Sequence, residues 1–260
     1  KTLGGPITFP GALNIARGTI FKADNQTVSA GSLTGAGELA FGNTASANTI
    51  TIGTDTTDST FSGVISGTDP GDSLVKTGSG KLTLSGANTY AGATTINAGT
   101  LAISGSGTAG TGTIAVGANT LDIINGATVA NAVTINGGTI ANSTGAGTLS
   151  TGGVTLGGNS NLSSAGTGLT ISAVITDGAV SFAINKLGGS TVTLSGANTY
   201  DGTTTINAGT LAISGSGTAG TGTIAVGANT LNINNDATLA NAVTITTGTI
   251  GNTAGAGTLA

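Results

Sequence analysis

The chain has 260 residues, a formal charge of −4, 6% charged and 3% aromatic residues, 48 glycines, and no cysteine or histidine. Without cysteine there is neither a disulfide framework nor a thiolate metal site, and without histidine there is no Ser-His-Asp triad and no imidazole ligand. Six cationic residues, with Arg17 the only arginine, are too few for a nucleic-acid footprint, and the low charge argues against ordinary disorder.

In chain order, residues 1–60 hold short apolar stretches whose spacing matches the rest loosely. Ala12–Ile20 (ALNIARGTI) resembles Ala132–Ile140 (AVTINGGTI), and ten extra residues around Phe21–Ala30 are expected to form a longer loop. From Phe61 onward the pattern sharpens into alternating triplets, the period-2 mark of half-buried strands. Leu82-Thr83-Leu84, Leu101-Ala102-Ile103, Ile114-Ala115-Val116, Val133-Thr134-Ile135, Val154-Thr155-Leu156 and Val192-Thr193-Leu194 are examples. Their aliphatic residues are expected to point inward and the middle residue outward. No apolar helical period persists for ten residues, so no helix is expected.

Tight corners join many of these triplets. Asn97-Ala98-Gly99 follows Ile96, Gly117-Ala118-Asn119 follows Val116, and Asn136-Gly137-Gly138 follows Ile135. Asn and Gly accept the left-handed backbone that a sharp bend needs. Ile96, Ile114 and Val133 start successive units 18 and 19 residues apart, which fits a parallel β-solenoid of three short strands per coil better than hairpins turning every ~8–12 residues. The spacing predicts about 18–20 residues per coil, roughly fourteen coils, and a length of roughly 65 Å at ~4.8 Å per coil. Asn97, Asn119 and Asn136 are placed to stack in ladders.

A longer period overlies the coils. Residues 84–121 recur at 194–231 with two changes, Ala91 to Asp201 and Ala93 to Thr203, and 61–150 as a whole matches 171–260. Lys76 meets Lys186, and Tyr90 meets Tyr200. A fixed long period in a Gly- and Thr-rich chain marks a stacked, quasi-linear architecture. The whole of 1–260 therefore reads as one continuous segment of tandem 110-residue units, with 1–60 a divergent partial unit, and as an excerpt of a longer protein. An active site is needed once, whereas a spacer is needed many times.

Phe61–Leu101 (FSGVISGTDPGDSLVKTGSGKLTLSGANTYAGATTINAGTL) closely resembles the autotransporter-associated β-strand repeat, through SGVI, the L-V-K-x-G-x-G-x-L-x-L-SG-x-NTY run and G-x-TTI-x-x-GTL. The copy at Ile171–Leu211 departs at its start, where AINKLGGSTVTLSG replaces SLVKTGSGKLTLSG. The resemblance implies a right-handed parallel β-helix, the passenger region of a type V secreted protein outside a Gram-negative cell. Such passengers are commonly adhesins or stalks. It implies membrane contact only through a translocator domain that this stretch does not include, and lack of cysteine suits passage through a narrow pore.

Candidate chemistry is sparse. Asp55, Asp58, Asp69 and Asp72, with Lys76 following, form the densest acidic stretch, and oxygen-rich loops suit a weakly held Ca²⁺. GTDTTDST and GTDPGD are equally ordinary turn sequences, and only Asp177 remains in the second copy. No catalytic residue or other cofactor is expected. Tyr90 and Tyr200 read either as exposed contacts for a sugar or a neighbouring chain, or as covers for the edge of a thin core. The expected role is a non-enzymatic extracellular stalk or scaffold of an adhesin or fibre, its partners being neighbouring copies, head to tail, or surface and matrix glycans. The alternative is a glycan- or ligand-binding β-helix passenger.

Overall fold

The computed structural model describes residues 5–24, 26–42 and 47–260. The described residues form strands and turns only, with strands of two to nine residues and no helix. The strands pair in parallel, each on one a full turn earlier in the chain, so the fold is the β-solenoid expected.

Internal contacts divide the chain into two compact units, one running to Asp122 and including Ala127–Asn131, the other comprising Ile123–Gly126 and Ala132–Ala260. In the first unit, one column stacks Ile7–Ile15, Val28–Gly35, Thr49–Ile52, Ser73–Lys76, Ala93–Ile96 and Ile114–Val116. A second stacks Ser59–Phe61, Lys81–Leu84 and Thr100–Ser104. A third stacks Ile20–Lys22, Glu38–Ala40 and Val64–Ser66.

In the second unit the columns are Val133–Ile135, Val154–Leu156 and Ile175–Thr176 on one side. Thr139–Asn142, Ser160–Ser164, Ile184–Leu187, Thr204–Ile206, Ile224–Val226 and Val243–Ile245 occupy the next. Ala146–Leu149, Gly168–Ile171, Thr191–Leu194, Thr210–Ser214, Thr230–Asn234 and Thr249–Gly251 make the third.

The core follows from the alternation. Val133 and Ile135 are each 1% exposed while Thr134 between them faces solvent. Within a column like stacks on like, as in Val28, Ile50 and Leu74 on successive turns. Each aliphatic side chain is thereby covered from above and below, so a core one residue wide still excludes water.

Three expectations need correction. Many turns have the expected 18–20 residues, as where Ile20 pairs with Glu38 at an offset of 18 and Thr94 with Ile114 at 20, but others are longer: Thr49 pairs with Ser73, an offset of 24, and Glu38 with Val64, an offset of 26. The polar corners absorb the extra residues, and the solenoid has about 12 turns, not fourteen. Phe21–Ala30 is not one long loop, because strands Ile20–Lys22 and Val28–Gly35 occupy both of its ends. The asparagines at Asn97 and Asn119 do not pair with each other. The Asn119 amide instead donates to the Ile96 carbonyl of the turn below at 2.9 Å, which satisfies a backbone group no strand partner reaches. The side-chain ladder that does form is Asn161, Asn185 and Asn207, with contacts of 3.3 and 3.5 Å.

Candidate functional site

The most elaborate local structure is built around two lysines. Alternation in Ser73–Lys76 and Ile184–Leu187 turns Lys76 and Lys186 inward, leaving them 1% and 0% exposed. Lys186 Nζ donates to the carbonyls of Leu187, Gly188 and Ala208 at 2.9, 2.7 and 2.8 Å. Lys76 Nζ donates likewise to Thr77, Gly78 and Ala98. An ammonium has three donors and no acceptor, so three carbonyls match it fully.

The geometry depends on glycine. Gly78 and Gly188 have φ of 63° and 74°, and that left-handed turn swings successive carbonyls toward the same point. Ala98 and Ala208 supply the third oxygen from the following turn, so each lysine ties two coils together. Burial pushes the Lys186 ammonium down to about 8 from an ordinary 10.5. Burial also lowers Lys76, partly opposed by the charge of Asp58.

Tyr90 and Tyr200 are core residues, not surface contacts: both are 0% exposed. Each phenol shares a hydrogen bond with a buried threonine, Tyr90 with Thr94 at 2.6 Å and Tyr200 with Thr204 at 2.7 Å. Burial pushes both phenols above their usual range, with these bonds opposing. Gly110 and Gly220 lie against the two rings, where a Cβ would come within 2.8 and 2.9 Å of ring carbons. Between them the tyrosine and threonine fill the core where an aliphatic pair stands elsewhere. Tyr90→Phe should therefore lower stability by only about 1 kcal/mol, because the ring stays packed and one bond is lost. A urea midpoint shift would measure it.

The four aspartates do not converge on one point, and each makes its own hydrogen bonds in one of two corners. Asp55 Oδ1 accepts from the Thr57 backbone N–H at 3.1 Å and its hydroxyl at 2.8 Å, which lowers its pKa. Asp58 accepts from the Lys81 N–H at 2.7 Å and Asp69 from the Gly71 N–H at 2.8 Å. Asp72 is buried, and its Oδ1 accepts from both the backbone and side-chain nitrogens of Asn48 at 3.0 Å. Among the described residues no three acidic side chains are grouped as a metal would need.

Open grooves lie on the surface of each unit. One in the first unit, about 650 Å³, is lined by Lys22, Asp24, Glu38, Ser66 and Thr89 among others, and Ser66 Oγ donates to Glu38 Oε1. One in the second unit, about 420 Å³, is lined by Thr205, Asn207, Asn229 and Thr244 among others.

Sequence reasoning paired Lys76 with Lys186 but assigned them no role. The signal was present: a lysine at an inward period-2 position, followed by a glycine-bearing corner, at the same place in both copies.

These features define a parallel β-solenoid in which Lys76, Lys186, Tyr90 and Tyr200 close corners and fill the core. Residues 74–103 and 184–213 each match the passenger-associated-transport-repeat. Both buried lysines, both tyrosines and their threonine partners fall inside the matched segments. The chain is also similar to the Adhesin BmaC autotransporter of Brucella suis biovar 1 (strain 1330), 38% identical over 159 residues. That match covers 57% of this chain and 4% of the relative, so the chain spans a small fraction of that protein's length. No solved structure matches.

Proposed function

We propose that this chain is a non-enzymatic stalk segment in the passenger of an autotransporter adhesin, held outside a Gram-negative cell. The observation carrying the reading is that its unusual side chains are spent on architecture. The two lysines, the two tyrosines and the four aspartates all satisfy the chain's own backbone or fill its core. Similarity to an adhesin passenger supports the surface location. Neighbouring copies, joined head to tail, are partners consistent with a stack whose strands pair with the turns on either side.

A second reading, glycan binding, is favoured by the groove around Lys22, Asp24 and Glu38, whose lining adds the hydroxyls of Ser66, Thr68 and Thr89 to these charged groups. Deleting one 110-residue unit from the intact adhesin distinguishes the two. The stalk reading expects shorter surface fibres by electron microscopy with cell attachment retained. Loss of attachment at full export and normal folding would overturn it in favour of binding by this segment.

A further inference from the structure

The 110-residue repeat is not a whole number of turns, and residues 133–259 of the second unit reveal the remainder. They contain the same trio of strands twice: Val133–Ile135, Thr139–Asn142 and Ala146–Leu149, then Val243–Ile245, Thr249–Gly251 and Gly257–Leu259. The first trio opens three adjacent columns. Its copies do not close the same three.

Val243–Ile245 ends the column that Thr139–Asn142 began, and not the column of Val133–Ile135. Thr249–Gly251 likewise ends the column that Ala146–Leu149 began. Every element has moved one side onward.

The residue path makes the offset explicit. Thr139 pairs with Asn161, then Asn185, Thr205, Ala225 and Thr244, which is five turns in 105 residues. The repeat is five residues longer, about the step from one side to the next: from Thr244 to Thr249, the copy of Thr139.

We infer that tandem 110-residue units are phased at five turns plus one side, so that equivalent surface positions of successive units point to successive sides of the solenoid. Thr134 and its copy Thr244 are both outward and exposed, yet stand on different sides. Three units, being fifteen turns plus three sides, bring a position back to its starting side after about sixteen turns. A patch carried by each unit is thus distributed around the solenoid, an arrangement that suits many separate partner molecules. A second copy lying alongside in register meets the patch on its facing side only once in three units. That works against lateral sticking of like faces, in a surface with little charge to prevent it.

The chain has no cysteine, so paired nitroxide labels can be placed without background. Label pairs Thr139→Cys/Thr244→Cys and Thr134→Cys/Thr244→Cys would be compared by double electron–electron resonance on the 260-residue chain. The phased stack expects the first pair to be the shorter, near ~24 Å for five turns at ~4.8 Å each. A control pair, Asn161→Cys/Asn185→Cys, should show strong short-range coupling in the continuous-wave spectrum, because the two residues pair on successive turns. Equal distances in the two long pairs, or the reverse order, would overturn the inference. So would weak coupling in the control.

Discussion

Replacing Gly92 with alanine is expected to disrupt the first unit, with a loss of about 4 kcal/mol or more. The added Cβ would overlap the carbonyl oxygen of Asp72 on the turn below, and its carbon as well. Both are backbone atoms of a coil fixed by its own ladder, so the clash has no side chain to push aside, unlike ordinary overpacking at about 1–3 kcal/mol. Gly202, the copy in the second unit, meets the Phe182 carbonyl in the same way, and Gly202→Ala should have a similar effect there. Gly105 supplies the contrast. Its φ is +61° but nothing lies within 4 Å of its Cβ position, so alanine there meets only the strain of a left-handed backbone, about 1 kcal/mol. Hydrogen exchange over the strands Ser73–Lys76 and Ala93–Ile96 would locate the loss, and urea unfolding would scale it. If Gly92→Ala and Gly105→Ala were equally mild, the close approach of successive coils would be wrong.

Gly92 also illustrates what the sequence concealed. Strand positions were legible, because a core one residue wide leaves no alternative to period 2: Val133 and Ile135 had to face in if Thr134 faced out. Parallel stacking was legible from corner chemistry and the regular recurrence of triplets. Turn length was not, since a corner such as Gly53–Asp58 can lengthen without altering the strands it joins. That uncertainty hid the phase of the repeat, because 110 residues have no geometric meaning until the turn is known. The aspartates looked like a cluster only because linear proximity was taken for proximity in space. Asp55 and Asp58 hold the corner between strands Thr49–Ile52 and Ser59–Phe61, and Asp69 and Asp72 the one between Val64–Ser66 and Ser73–Lys76. Tyr90 and Lys76 were obscured by the habit of placing phenols and ammoniums near water. Each is buried because a partner elsewhere in the chain satisfies it: the Thr94 hydroxyl in one case, three carbonyls in the other.

Lys186→Met is expected to destabilise the second unit by about 2 kcal/mol near neutral pH. Methionine can fill the volume, but the half-buried carbonyls of Leu187, Gly188 and Ala208 then lose their donor, and an acceptor left unpaired costs up to about 1–3 kcal/mol where water does not replace the donor. The gain from no longer burying a charge limits the loss, so the net is smaller than three orphaned groups alone would suggest. The pH dependence separates these two contributions. In the folded state Lys186 titrates near 8, and in the unfolded chain near 10.5, so between those values the unfolded state holds more protons. Stability therefore rises with pH in that window and is lost again as pH falls through 8, the direction linkage requires. Lys76, also lowered, adds with the same sign. The buried tyrosines act oppositely above pH 10, where unfolded phenols ionise and folded ones do not, so the rise should be sought between pH 8 and 9.5. Wild type should become more stable across that interval, and Lys186→Met should flatten the rise in hydrogen-exchange protection of residues 184–213. A wild-type profile that stays flat from pH 8 to 9.5 would mean that the three carbonyls hold the ammonium at least as strongly as burial opposes it. The lysine would then be a fixed charge of the architecture at every pH the fold tolerates.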